Sequence, residues 1–194
     1  MSNFVKEDSG VTLFVTQTEA QILINLVEQL LELLGEGDFF HHYDTNDPLA
    51  QMLTVPTEIA APEDPVLKRL LPNAYSDPEA ASDFRRFTEP EIRGNKQRIL
   101  RRVRQQLSII VDYSIDTGVE NSSDFGIDSI TGIDPDIWLL ALNDLRLALG
   151  VRLDVDSESY EKFDLLPDED PIKPTFAVYF WLGWLQENLL SVLG

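Results

Sequence analysis

The chain contains no cysteine among its 194 residues. This absence excludes disulfides, thiolate nucleophiles, zinc fingers, iron–sulfur clusters and any switch based on thiol oxidation. Histidine is nearly as scarce, because His41 and His42 are the only two. Because these two histidines are neighbours in sequence, they cannot both face one metal ion from a regular helix. The sequence also contains no nucleophile elbow, Walker loop or dinucleotide-binding glycine motif. We therefore predict no catalytic, cofactor-binding or metal-binding residue, and a protein that is not an enzyme.

Long apolar runs and basic residues are also scarce. The most apolar segment, residues 176–185, is shorter than the about 20 residues that a membrane-spanning helix needs. The first ten residues lack the basic and then apolar order of a secretory signal. With 34 acidic and 15 basic residues, the formal net charge of −19 disfavours direct contact with nucleic acid or anionic lipid. We expect a cytoplasmic protein that binds neither a membrane nor, directly, nucleic acid.

What is present is a repeated set of helix signals. Apolar residues recur at helical spacing up to Leu34, and Thr16 with Glu19 has the spacing of a capping box, which predicts a helix over 18–34. Asp-Pro pairs at 64–65, 77–78 and 134–135 each place a capping residue before a first-turn proline. The longest helix is predicted to begin at Thr88 and to end near 114–118.

Together these signals predict a mainly α fold. We expect one domain over 1–194, an irregular bundle of about four main helices with several short ones. At most two short β-strands are expected, from the alternation over 11–16 and from residues 151–155. The acidic stretches near 35–64, 116–133 and 154–173 are predicted loops.

Basic residues are concentrated in the longest predicted helix. Positions 85–104 hold eight of the fifteen basic residues and only two acidic ones. Arg98, Arg101 and Arg102 fall opposite the apolar stripe of this helix, so they are candidate partner-binding residues for an acidic partner. The alternative is that these arginines pair with the acidic loops of the protein itself.

The aromatic run of the last helix, residues 176–184, covers more than one helical face. Within it, Trp181 and Trp184 are candidate anchors for a partner protein or for a second copy in a homodimer. The alternative is that the run packs in the core on two sides of the helix.

Two charged residues interrupt the apolar helix after Pro135. Asp144 and Arg146 are two positions apart and do not face each other, so each needs a partner from elsewhere, and the basic helix is the expected source for Asp144. A carboxylate buried among leucines is either one half of a structural ion pair or a general acid or base with a raised pKa. The second case gives the alternative function: a small-molecule binder or enzyme with a site between helices around Asp144 and Arg146.

Two segments resemble a known family. The motifs that carry the similarity are LLPNAY and FRRFTE, within 70–96, and ALNDLRLALG, within 138–153. They are similar to an actinobacterial family first catalogued as a domain of unknown function, which includes the oxidative-stress regulator AosR. The resemblance implies a cytoplasmic regulator that binds a stress sigma factor and is controlled by a cysteine pair. Because this chain has no cysteine, that redox control does not carry over. We therefore predict an interaction protein, a transcription-associated stress regulator whose partner is a sigma factor or other transcription machinery.

Overall fold

The computed structural model describes residues 2–35, 61–117 and 127–194, with the side chains of 112–117 and 127 left out. Most of the acidic stretches near 35–64 and 116–133, together with His41 and His42, therefore lie outside the described residues. The elements are β1 (Asn3–Glu7), β2 (Gly10–Thr16), α1 (Gln17–Leu33), α2 (Pro65–Leu70), α3 (Pro78–Thr117), β3 (Ile127–Ile133), α4 (Pro135–Arg152), α5 (Ser159–Leu165) and α6 (Lys173–Leu193). No helix of this described part is long and apolar enough to cross a membrane.

The prediction of a mainly α fold is confirmed, but the described residues form a sheet of three strands, where at most two were expected. It is antiparallel, with the order β1-β2-β3, and only β2 was predicted. The other predicted strand, over 151–155, instead ends α4, where Leu153 N–H donates to Leu149 O at 2.9 Å. The strand β3 was predicted as loop because its sequence IDSITGI is polar and contains glycine. It is a strand because it pairs with the buried strand β2, which outweighs its weak propensity.

The helix α1 follows its sequence signals closely. Thr16 Oγ1 accepts a hydrogen bond from Glu19 N–H at 3.2 Å, and Glu19 Oε2 accepts one from Thr16 N–H at 2.9 Å, so the predicted capping box is formed. The buried face of α1 packs along α3. Trp138 of α4, which is fully buried, belongs to the same core and meets the ring of Phe4 edge to face.

The two helices predicted from Asp77-Pro78 and from Thr88 are one continuous helix, α3, with Pro90 inside it. Proline removes one backbone hydrogen bond and normally kinks or ends a helix. Here Glu89 bonds to arginines on both sides of the proline. Its carboxylate accepts from Arg85 Nη1 at 2.9 Å and from Arg93 Nη2 at 2.7 Å, so one buried ionic cluster bridges the turns before and after Pro90.

Candidate functional site

The outer face of α3 carries the three predicted partner-binding arginines. Arg98, Arg101 and Arg102 are all exposed, as their spacing indicated. Arg98 Nη2 donates to Asn95 Oδ1 at 2.5 Å, which leaves its guanidinium at the surface. Arg101 also lines a groove of about 570 Å³ between α1 and α3. The three side chains therefore form one accessible cationic face, called the basic face below.

The opposite side of the same helix carries a buried ionic stripe that sequence reasoning missed. Arg85 and Glu89 are each 6% exposed, and Arg93 is nearly buried. Arg93 Nε also donates to Glu89 Oε1 at 2.8 Å. These arginines do pair with an acid of the protein itself, and among the described residues that acid is Glu89 of their own helix. The four-residue spacing of Arg85, Glu89 and Arg93 is the signal that could have revealed them.

Asp144 finds its partner on α3. Lys96 Nζ lies 2.8 Å from Asp144 Oδ1 and 3.0 Å from Oδ2. Lys96 interrupts the apolar stripe of α3 because it faces this carboxylate on α4. Burial raises the pKa of Asp144 above its ordinary value, and the hydrogen bond and charge of Lys96 only partly oppose that rise. The pair is a structural cross-link between α3 and α4.

Arg146 lies on another side of α4 and faces α6. Its Nη1 donates to Gln186 Oε1 at 2.8 Å, and its guanidinium carbon lies 5.3 Å from the centre of the Tyr179 ring. Gly183 gives it room, because a Cβ at that position would lie 3.3 Å from the guanidinium carbon. The structure therefore does not bring Asp144 and Arg146 together in one site.

The two candidate tryptophans are half-buried and pack against the core. Trp181 Nε1 donates to Ser2 Oγ at 3.1 Å, which ties α6 to the residue before β1. Much of their aromatic surface is therefore used within the fold. More accessible apolar side chains occur on α3, where Phe84 is 40%, Phe87 is 65% and Ile92 is 41% exposed.

A groove of about 380 Å³ runs between the segment after α2 and the first half of α3. Residues 70–74 form one wall, and Phe84 and Ile92 belong to the other. Arg85, Glu89 and Lys96 also line it. The segments LLPNAY and FRRFTE therefore face each other across this groove, and ALNDLRLALG supplies Asp144, the partner of Lys96. The three motifs on which the resemblance rests, from two segments of the chain, thus meet at one place.

Comparison with known proteins gives the family of this chain. The family described as "Domain of unknown function (DUF2017)" matches residues 1–193. The chain belongs to the DUF2017 family. Among solved structures, none matches this DUF2017 chain.

Curated relatives of this DUF2017 protein cover most of its length. Proteins of Mycobacterium tuberculosis and Mycobacterium bovis, each named oxidative stress regulator AosR, are 35% identical to it over 190 residues, which is 90% of this chain and 78% of theirs. A relative from Mycobacterium leprae is 36% identical over 198 residues, covering 92% of this chain and 80% of its own. The family resemblance drawn from the sequence is thus confirmed.

Two further grooves lie elsewhere on the described part of this DUF2017 chain. One, of about 460 Å³, lies between α1, α2 and α4, and the other is the groove beside Arg101. None of the three grooves is lined by Asp144 or Arg146. A ligand site centred on those two residues therefore has no geometric support from these grooves.

Proposed function

We propose that this DUF2017 protein is a cytoplasmic regulator that acts without catalysis, by binding a protein of the transcription machinery such as a sigma factor. The observation that carries the proposal is the basic face, where Arg98, Arg101 and Arg102 are exposed along one side of a long helix. The names of the mycobacterial relatives, which describe an oxidative stress regulator, support the regulatory part. Since this chain has no cysteine, its regulation does not depend on its own thiols.

The charge distribution favours an acidic region of the partner. Positions 85–104 carry a net charge of +6, in a chain whose total is −19. Within that stretch Arg85 and Arg93 are bonded to Glu89, so the accessible positive charge is concentrated at the basic face. A cationic face on an otherwise acidic protein steers an acidic partner to one location and repels basic ones.

The basic face also has a recess beside it. The groove between α1 and α3 places Arg101 and Arg104 on one wall and Gln21 and Glu28 on the other. An acidic side chain of a partner would meet Arg101 and Arg104 along the α3 wall of this recess, away from Glu28 on the α1 wall.

The test is a charge reversal with a matched control. The variant Arg98→Glu/Arg101→Glu/Arg102→Glu reverses the basic face. The control Lys6→Glu/Lys68→Glu/Arg69→Glu makes the same change in net charge at three exposed positions elsewhere. Tagged proteins are used for capture from native lysate, with and without oxidative stress, and bound sigma factors and RNA polymerase subunits are quantified by mass spectrometry.

We expect the wild type and the control to retain a transcription protein and the basic-face variant to lose most of it. An exposed substitution usually changes the free energy of unfolding by no more than about 0.5 kcal/mol, so both triple variants should stay within about 1.5 kcal/mol of the wild type. Retention by the basic-face variant would refute this surface, and a wild type that captures no transcription protein would refute the proposed partner class.

A further inference from the structure

The groove between the segment after α2 and the first half of α3 has the size and lining of a small-molecule site. Its volume of about 380 Å³ falls within the range of ligand pockets. Leu70 and Leu71 line one wall, and Phe84 and Ile92, which keep about two fifths of their surface exposed, line the other. It is therefore an apolar slot that a ligand can reach from solvent.

At one end of the slot lies a cation with spare donors. Arg85 is 6% exposed, its Nη1 donates to Glu89 Oε2 at 2.9 Å, and its Nη2 donates to Asn73 Oδ1. A guanidinium has more N–H donors than these two bonds use, and the Asn73 amide has N–H donors of its own. Arg85 and Asn73 together can therefore donate to a further acceptor.

Arg85 does not have its carboxylate partner to itself. Glu89 is shared, because it accepts from Arg93 as well as from Arg85. The second partner of Arg85, Asn73, is neutral. Lys96, about 16 Å further along the helix, lines the other end of the slot and is bonded to Asp144. The slot thus has a cation at each end, the carboxylate of Glu89 beside Arg85, and mostly apolar side chains between.

This arrangement selects among ligand classes. A cationic ligand would be repelled by Arg85 and Lys96. A wholly apolar ligand would remove water from Arg85 without replacing its hydrogen bonds, which is costly. We propose that the groove binds a small carboxylic acid with an apolar body, whose carboxylate accepts hydrogen bonds from Arg85 and Asn73. The body lies between Leu70 and Ile92.

The experiment compares octanoate with 1-octanol, which has the same chain without the charge, by titration calorimetry on the full chain. The variant Asn73→Asp keeps the size of the side chain but sets a carboxylate against Arg85, so it repels octanoate while preserving the fold. The variant Ile92→Trp fills the slot from a position already exposed. Its control, Ala148→Trp, fills the other apolar groove, between α1, α2 and α4.

We expect octanoate to bind at least about tenfold more tightly than 1-octanol, since bonds to charged groups are worth more than one decade in affinity. Asn73→Asp should weaken octanoate about tenfold and leave 1-octanol unchanged. Ile92→Trp should weaken both, and Ala148→Trp neither. The proposal would be overturned if octanoate showed no saturable binding or bound no more tightly than 1-octanol. It would also be overturned if Asn73→Asp left octanoate affinity unchanged, or if Ala148→Trp lost binding and Ile92→Trp did not.

Discussion

Removal of the ammonium that faces Asp144 should destabilise the protein strongly. The variant Lys96→Met keeps most of the aliphatic part of the side chain but removes its ammonium. The Asp144 carboxylate, in a residue that is 4% exposed, then loses the one partner that it has among the described residues. Breaking a buried pair by removing one member typically costs 3–5 kcal/mol. Because Lys96 itself is 20% exposed, we expect the lower end, about 3 kcal/mol, which is a large part of the stability of a typical domain.

The same variant should make stability depend on pH. Burial raises the pKa of Asp144 above 3.8, and Lys96 opposes that rise, so Lys96→Met should raise this pKa further. A carboxyl whose pKa is higher in the folded state binds its proton more tightly there, and the free energy of unfolding therefore falls as the pH rises through that window. The loss caused by Lys96→Met should be largest near about pH 8 and should shrink as the pH falls toward about 5.

Urea unfolding at both pH values measures this effect. Arg98→Met is the matched control, because it removes the same charge from an exposed position of the same helix and should cost less than about 0.5 kcal/mol. The double variant Lys96→Met/Asp144→Leu should recover most of the loss, since no charge is then left buried. A Lys96→Met protein as stable as Arg98→Met, or one whose loss is the same at both pH values, would refute this account.

Two further substitutions test the ionic cluster around Glu89 within α3 and the N-terminal cap of α1 at Thr16. Glu89→Gln leaves Arg85 and Arg93 without their shared carboxylate and should lower the free energy of unfolding by about 3 kcal/mol, measured by thermal unfolding. The control is Asp83→Asn, at an exposed acid 3.9 Å from Arg86, which should cost less than about 0.5 kcal/mol. Equal losses would contradict the bridging role of Glu89. Thr16→Ala should cost about 1 kcal/mol and the exposed neighbour Thr18→Ala much less. Burial alone would raise the pKa of Glu19, but hydrogen bonds from Thr16 and Ser2 lower it below 4.5. The stability lost in Thr16→Ala should therefore shrink as the pH falls below that value. A loss that does not change with pH would show that the carboxylate takes no part in the cap.

Local signals predicted the parts of the fold that local contacts determine. The capping box of Thr16 and the Asp64-Pro65 pair marked the starts of α1 and α2 to within one residue, because a cap is made by residues adjacent in sequence. The strands β1 and β3 escaped prediction because their stability depends on pairing with β2, which is far from β3 along the chain. The continuity of α3 through Pro90 escaped it because the usual penalty for proline ignores the ionic cluster around Glu89.

The candidate site was predictable only in part for a related reason. Helical periodicity placed Arg98 on an exposed face, since that property follows from position on one helix alone. Helical periodicity also places Ile92 on the apolar stripe of α3, yet Ile92 is 41% exposed, because periodicity does not show which part of a stripe another element covers. The slot beside Ile92 depends on the placement of residues 70–74, which have no helical or strand periodicity to fix it.

The contact between the first strand and the last helix has a consequence for how the chain folds. Phe4 N–H donates to Asn188 Oδ1 at 2.6 Å across 184 positions, and α6 packs along β1. Contacts between distant positions form late, because the entropy of closing the intervening chain must first be lost. During synthesis, therefore, β1 leaves the ribosome long before the helix that covers it exists. Until α6 arrives, β1 is an unprotected sheet edge, which is the kind of segment that pairs with other chains in aggregation.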